Sequence, residues 1–290
     1  MAIMILLKRL LGMKKFILKC AIDCFMLASS LITVCFSFLP EKVFSIYPQP
    51  IFEFANDESG IIIQNRLILL LVFLVASGIS KVLYTHYRKE YTIKGKNFVI
   101  KVEYGDLLEK NDGKKVITFD ECYTTTVGNA LGDIKSGSIN GKYLRQHNAI
   151  GECIGQLIQE AGLKKLPSKS KFNKKDRYES GRVVQYENDL LMAFVKLDEK
   201  GAGKMSHNDY LNSLSVLWEE ISNYCDHNDV YIPIIGSGQT TRFDGERYER
   251  QELLDMIIAS YKLSPHKLKL PLKLHIVCRK EDGVSLNNIE

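Results

Sequence analysis

The chain lacks any cysteine framework. Cys20, Cys24 and Cys35 lie in an apolar N-terminal region and Cys122, Cys153, Cys225 and Cys278 are scattered beyond it, seven in all with no Cys-x-x-Cys pair. That odd, irregular set argues against a disulfide scaffold and a zinc site, and the histidines add no metal-ligand spacing, so no metal is expected and a reducing cytoplasm suits the C-terminal part. The chain also lacks a strong overall charge, the formal net value being only +5, so the distribution of charge matters more than the sum. Lys8, Arg9, Lys14, Lys15 and Lys19 crowd the first twenty residues with no acid among them. A nucleic-acid patch and a membrane-flanking cluster share that look. Two long apolar segments downstream decide for the membrane, and no nucleic-acid partner is expected.

The segment 16–39 is mostly apolar, and residues 21–39 would cover most of a hydrocarbon core of about 30 Å at roughly 1.5 Å per residue. Asp23 is the one acid inside it; lying near one end, it is read as an interfacial charge that reaches the headgroups or pairs with Lys19. A second apolar segment runs from Leu67 to Leu83, extended back to Ile61 if Arg66 snorkels. Lys81, Arg88, Lys89, Lys94 and Lys96 cluster at and beyond its end against Glu90 alone, whereas the loop between the segments carries Glu41, Glu53, Asp57 and Glu58 against Lys42. The positive-inside rule then predicts two spans in the cell inner membrane, 16–39 and 61–84, with residues 1–15 a basic cytoplasmic N-terminus and both ends cytoplasmic. A cleaved signal peptide is the rival reading of the first segment, but Ser37-Phe38-Leu39-Pro40-Glu41 is a poor cleavage site and a second span comes after it.

After a polar connector at 85–97, residues 98–290 alternate short strands and helices. Strands are predicted at 98–102, 115–119, 190–197, 230–235 and 272–278, with a hairpin turn at Asn188-Asp189. Leu211, Leu214, Leu217, Trp218 and Ile221 fall at helical spacing behind the capping Ser206, which makes Trp218 a core residue. Leu253, Leu254, Ile257, Ile258 and Tyr261 mark another helix. His275 alternates with apolar neighbours on the last strand and receives no role. The basic run 164–177 reads as a solvated loop.

Three stretches carry candidate chemistry. The strand through Ile232 breaks into Gly236-Ser237-Gly238-Gln239-Thr240; glycines let a backbone approach a ligand, and consecutive N–H groups then converge on an anion. An ordinary strand-to-helix turn fits the same residues. Asp106 comes after the first strand, and Asp120 and Glu121 after the second. Lys135-Ser136-Gly137-Ser138-Ile139-Asn140-Gly141-Lys142 lies in a glycine- and serine-containing stretch suited either to wrapping a ligand or to plain surface loop.

Gly105-Asp106-Leu107 resembles the Gly-Asp-Ile signature of macro domains, in which the aspartate reads adenine, and Ile232-Pro233-Ile234-Ile235-Gly236-Ser237-Gly238 resembles their later phosphate loop. With the two spans, the 135–142 stretch and Gln251-Glu252-Leu253-Leu254, the order of motifs is similar to that of the membrane-anchored macro-domain effectors of Thoeris anti-phage defence. The resemblance implies an α/β fold, a macro-like domain with a mixed central sheet flanked by helices behind a two-helix transmembrane hairpin. It implies a sensor: a TIR-domain partner consumes NAD to make an ADP-ribose-derived messenger, histidine-ADP-ribose in this branch, and binding drives homo-oligomer assembly and disruption of the lipid bilayer with death of the infected cell. Asp106 would read adenine and Gly236, Ser237 and Gly238 would hold phosphate, with Gln239 and Thr240 beside them and Ser136, Gly137 and Ser138 on the opposite wall. No cofactor is implied beyond that ligand. Hydrolytic macro domains carry an Asn-rich segment where this chain has Thr118-Phe119-Asp120-Glu121-Cys122, which lowers the case for catalysis and leaves no catalytic residue assigned. A membrane-tethered ADP-ribose hydrolase and a membrane scaffold with a protein-binding domain are the alternatives.

Overall fold

The computed structural model describes residues 2–45, 49–52, 57–238 and 241–289. The chain divides into two compact units, one ending at Arg88 and the other spanning Lys89–Ile289. In the first unit, helix α1 (Ala2–Phe38) ends just before Pro40, whose ring disfavours helix at the residue before it. Helix α2 (Glu58–Tyr87) starts behind Asp57, whose carboxylate accepts the Gly60 N–H at 2.8 Å. Residues Cys20–Phe38 and Glu58–Tyr87 are long and apolar enough to cross a membrane. The candidate span Cys20–Phe38 lies within the segment 16–39 read in the sequence, and Glu58–Tyr87 extends 61–84 at both ends; α1 begins at Ala2, so the basic segment is helical too, Leu, Met and Lys all propagating a helix. Asp23 pairs with Lys81 of the other helix at 2.7 Å, and the Lys19 side chain, named in the sequence as its neighbour, lies outside the described residues.

The second unit is a three-layer α/β structure. Among the described residues nine strands form one sheet: β1 (Glu90–Lys94), β2 (Val99–Tyr104), β3 (Gly113–Asp120), β4 (Val183–Tyr186), β5 (Asp189–Leu197), β6 (Gly203–Met205), β7 (Asp229–Pro233), β8 (Arg242–Phe243) and β9 (Lys273–Cys278). Their order is β1-β2-β9-β7-β3-β5-β6-β8, with β4 also paired to β5. The five central strands β2, β9, β7, β3 and β5 are mutually parallel; β1 is antiparallel to β2, β4 and β6 are antiparallel to β5, and β8 is parallel to β6. Strand β1 lies inside the connector predicted at 85–97. Glu90-Tyr91-Thr92-Ile93-Lys94 alternates polar and apolar side chains, the pattern of a half-buried edge strand, and pairs along β2.

One face of the sheet, carrying Ile100, Val102, Val230, Ile232, Leu274 and Ile276, packs on helices α5 (His207–Tyr224) and α6 (Arg250–Leu263) through Trp218, Leu254 and Tyr261. The other face, carrying Ile117, Phe119, Leu191 and Ala193, packs on α3 (Ile139–Gln146) and α4 (Ile150–Glu160) through Tyr143, Leu144 and Ile150. Where the sequence suggests one helix after the 128–141 stretch, there are two; α3 is missed because its composition is polar and only Gly141, Tyr143 and Leu144 are buried.

Topology then sets where a ligand fits. β3 and β7 are adjacent and parallel. The chain leaving β3 runs to β5 through α3 and α4 on one face, whereas the chain leaving β7 first reaches β8, beyond β6 on the same side, and α6 on the opposite face then returns it to β9. In α/β sheets of this kind ligands bind at the carboxyl ends of the strands, which makes the loops leaving the adjacent β3 and β7 the candidate crevice.

Candidate functional site

The loop after β7 forms one wall. Ile234 and Ile235 are buried, and the Tyr210 hydroxyl donates to the Ile235 carbonyl at 3.0 Å. Ser237 N–H closes a tight turn onto the Ile234 carbonyl at 3.2 Å, and Gly236 sits at φ +87°. A Cβ there would meet Phe243 Cζ at 2.8 Å, so both conformation and space call for glycine. Among the described residues the N–H groups of Gly236 and Gly238 have no hydrogen-bond partner. Gln239 and Thr240 lie outside the described residues.

The second candidate loop leaves β3, the strand paired to β7. It is held by local bonds: Gly128 N–H to the Ile134 carbonyl at 3.1 Å, and Ala130 N–H to the Asp133 carboxylate at 2.9 Å. Gly132, at φ +80°, lies under the Phe172 ring, and a Cβ on Gly201 would come within 2.8 Å of the Gly132 nitrogen. The β5–β6 turn and the basic segment thus brace this loop from outside. Ser138 caps α3, accepting the Gly141 N–H at 3.0 Å and donating to the Lys135 carbonyl at 2.6 Å. Ser136 is exposed and its carbonyl accepts from Arg145 at 2.7 Å; Gly137 is exposed, and a Cβ there would meet nothing within 4 Å.

Asn140, quoted in the sequence motif but given no role, ties α3 to the end of β3 by donating to the Thr118 carbonyl at 3.0 Å, and its Oδ1 is buried with no partner among the described residues. An uncompensated buried acceptor beside the crevice is a candidate contact that spacing alone does not single out.

Asp106 stands at the carboxyl end of β2, at the start of the segment that crosses β9 and β7 to reach β3. Its Oδ1 accepts the Leu108 N–H at 3.0 Å and caps a 3₁₀ turn over Leu107–Glu109. Strand β9 separates it from the β7 loop, so the structure brings the phosphate-loop glycines and the 136–138 residues to adjacent strands and places Asp106 two strands from the glycines.

Asp120 and Glu121 are committed elsewhere. Asp120 accepts the Cys122 and Thr124 N–H groups at 2.7 and 3.3 Å, folding the chain back at the end of β3; burial pushes its carboxyl up despite those bonds. Glu121 is buried against Arg177, whose Nε donates to it at 2.7 Å; burial again outweighs the arginine and leaves its carboxyl raised.

A polar cavity of about 660 Å³ lies beside the crevice, at the end of β5. Its lining includes Glu121, Arg177, Lys196, Asp198, Asp209 and Arg242, and none of the residues singled out as ligand-binding in the sequence. Several of its charges are paired across it, Lys196 with Asp209 at 2.7 Å and Lys204 with Asp198 at 3.3 Å.

The profile of the family described as Thoeris protein ThsA, Macro domain, matches residues 100–279. A relative from Bacillus amyloliquefaciens (strain Y2), Thoeris protein ThsA, is 27% identical over 231 residues, covering 75% of this chain and 77% of its own length. Among solved structures, the macrodomain of Oceanobacillus iheyensis with MES bound is similar at a TM-score of 0.43 and 9% identity, over 67% of this chain and 91% of that one. The same macrodomain with ADP gives 0.40 and 9%, over 67% and 90%.

Proposed function

The chain belongs to the Thoeris ThsA macro-domain family, and from that premise we propose that its α/β domain is a receptor for an ADP-ribose derivative, histidine-ADP-ribose, made by a TIR-domain partner. The observation that carries the reading is the β7 loop, whose Gly236 and Gly238 N–H groups have no hydrogen-bond partner among the described residues, at the end of a strand paired to β3. Such backbone donors bind diphosphate without a cation, in the manner of an anion nest. Gly236, Ser237 and Gly238, with Gln239 and Thr240, hold the diphosphate; Ser136, Gly137 and Ser138 form the far wall; Asp106 reads the base. No cofactor takes part and no bond is cut, because Asp120 and Glu121 hold the fold rather than face a substrate.

The two apolar helices anchor the receptor in the inner membrane with both ends cytoplasmic, and the bound state assembles into homo-oligomers that disrupt the bilayer and kill the infected cell. For that to work the messenger must bind the assembled form more tightly than the resting one, since equal affinity shifts no population.

Calorimetric titration of the full chain in nanodiscs with ADP-ribose and with its histidine conjugate tests the reading. The conjugate is expected to bind more tightly, and Asp106→Ala and Gly238→Glu, shown to be folded, are expected to lose at least about tenfold in affinity, the effect of roughly 1.4 kcal/mol. Full affinity in both variants would refute the site, and release of free ADP-ribose from O-acetyl-ADP-ribose would turn the reading to a hydrolase.

A further inference from the structure

The chain passes from helix α2 into the sheet at the carboxyl edge of the parallel strands. Helix α2 ends at Tyr87, and Arg88 caps it in an extended conformation. The next residue is already in the sheet: the Lys89 carbonyl accepts the Tyr104 N–H at 3.0 Å, and β1 continues antiparallel to β2 with Glu90 opposite Glu103. Because β1 runs against the parallel strands, its first residue lies at their carboxyl ends, and Asp106 is only two residues beyond Tyr104. Only Arg88 and Lys89 lie between the end of the helix and the start of the strand in the sequence.

A line of alternating charges runs along the same edge. Lys110 closes the 3₁₀ turn that Asp106 begins, its N–H donating to the Leu107 carbonyl. Its ammonium lies 2.8 Å from Glu103 Oε1, Lys101 lies 3.3 Å from Glu103 Oε2, and Lys101 lies 2.7 Å from Glu90. Lys101 and Glu103 share one face of β2 by the two-residue repeat of a strand. Glu103 is buried at the centre, and on its far side His275 approaches it at 3.4 Å and is itself 3.1 Å from Asp229. Tyr231 stacks on the His275 ring at 4.2 Å between centroids. Burial pushes the Glu103 carboxyl up, but Lys110, His275 and Lys101 more than reverse this and hold it below its ordinary range. A buried charge with partners on both sides cannot lose one without finding another, so displacement of Lys110 must be answered along the line.

We propose that occupancy of the Asp106 turn is transmitted to helix α2 through this line, Lys110 to Glu103 to Lys101 to Glu90, the last being the second residue after the helix cap. The coupling rests on the ligand reading above. It gives the sensor a direct route to the anchor in which a movement of the 3₁₀ turn changes the pairing that fixes the start of β1.

Hydrogen exchange of the full chain in nanodiscs, with and without ADP-ribose, tests it alongside calorimetry on the same samples. In the unmodified chain ADP-ribose is expected to change exchange across residues 84–94 by at least about fivefold, the lower end of ordinary coupling between sites. Lys101→Met and Glu103→Gln are expected to keep ADP-ribose affinity within about twofold, a difference well under 1 kcal/mol, while losing the change at 84–94. Lys101→Arg, which keeps the charge, is expected to retain it. If Glu103→Gln does not fold, Glu90→Gln at an exposed edge position serves in its place. Binding without any change at 84–94, or a change that survives in the charge-removing variants, overturns the coupling. Failure of the unmodified chain to bind either ADP-ribose or its histidine conjugate overturns the receptor reading and the coupling with it.

Discussion

Gly236 and Gly137 both lie in loops that leave the carboxyl ends of neighbouring parallel strands, yet their surroundings differ. A Cβ on Gly236 would meet Phe243 Cζ at 2.8 Å with the backbone at φ +87°, whereas a Cβ on Gly137 would meet nothing within 4 Å. The β7 wall is set by the core beneath it, through Tyr210, Phe243 and Leu253; the β3 wall is set by its own turn and by the Ser138 cap. A glycine in the first wall is needed for the fold, and a glycine in the second only for space. If the crevice takes a ligand, one wall is a fixed template and the other the side that adapts.

The largest effect expected from breaking this contrast is at the fixed wall. Gly236→Ala would place a Cβ in a left-handed conformation, costing about 1–2 kcal/mol, and would also displace the Phe243 ring, for a total of roughly 2–4 kcal/mol. Thermal unfolding of the full chain in detergent should show a clear drop in the transition of the α/β domain. An unchanged transition would mean that Phe243 yields freely and that the wall is not fixed. At the adaptable wall, Ser138→Ala removes the α3 cap and its bond to the Lys135 carbonyl. A loss of about 1 kcal/mol is expected, the usual cost of an N-cap, read from the same transition.

The contrast is only half legible in the sequence. Strands β3, β5, β7 and β9 are largely buried on both faces and β2 alternates, so all five stand out in the sequence, and with them the loops at their ends. Strands β6 and β8, of three and two residues, exist only because each pairs with the other and β6 with β5, a tertiary fact with no local signal. Gly236 is recognisable as a turn glycine by its place after an apolar run, but its contact with Phe243 is not, and in the sequence Gly137 looks equally constrained. The same limit hides the charge line. Lys101 and Glu103 read as the polar side of a strand, and nothing local indicates that the crossing segment folds back to set Lys110 upon Glu103 or that Asp23 reaches Lys81 across 58 positions.

The smallest effect on stability, and the one that most sharpens the comparison, is expected from Gly137→Ala. The added methyl enters open space and the position has no left-handed φ, so stability should change by less than about 0.5 kcal/mol, as for an exposed loop site, or rise slightly as the unfolded chain loses freedom. If the 136–138 residues close against a bound diphosphate, that same methyl stands where the ligand must approach, and affinity for ADP-ribose should fall by about tenfold, some 1.4 kcal/mol, with the unfolding transition unmoved. Calorimetry and thermal unfolding on one preparation separate the two quantities. Loss of affinity without loss of stability would place Gly137 at the ligand, whereas unchanged affinity would leave the β7 loop as the sole phosphate wall and make the 136–138 residues part of the α3 cap alone.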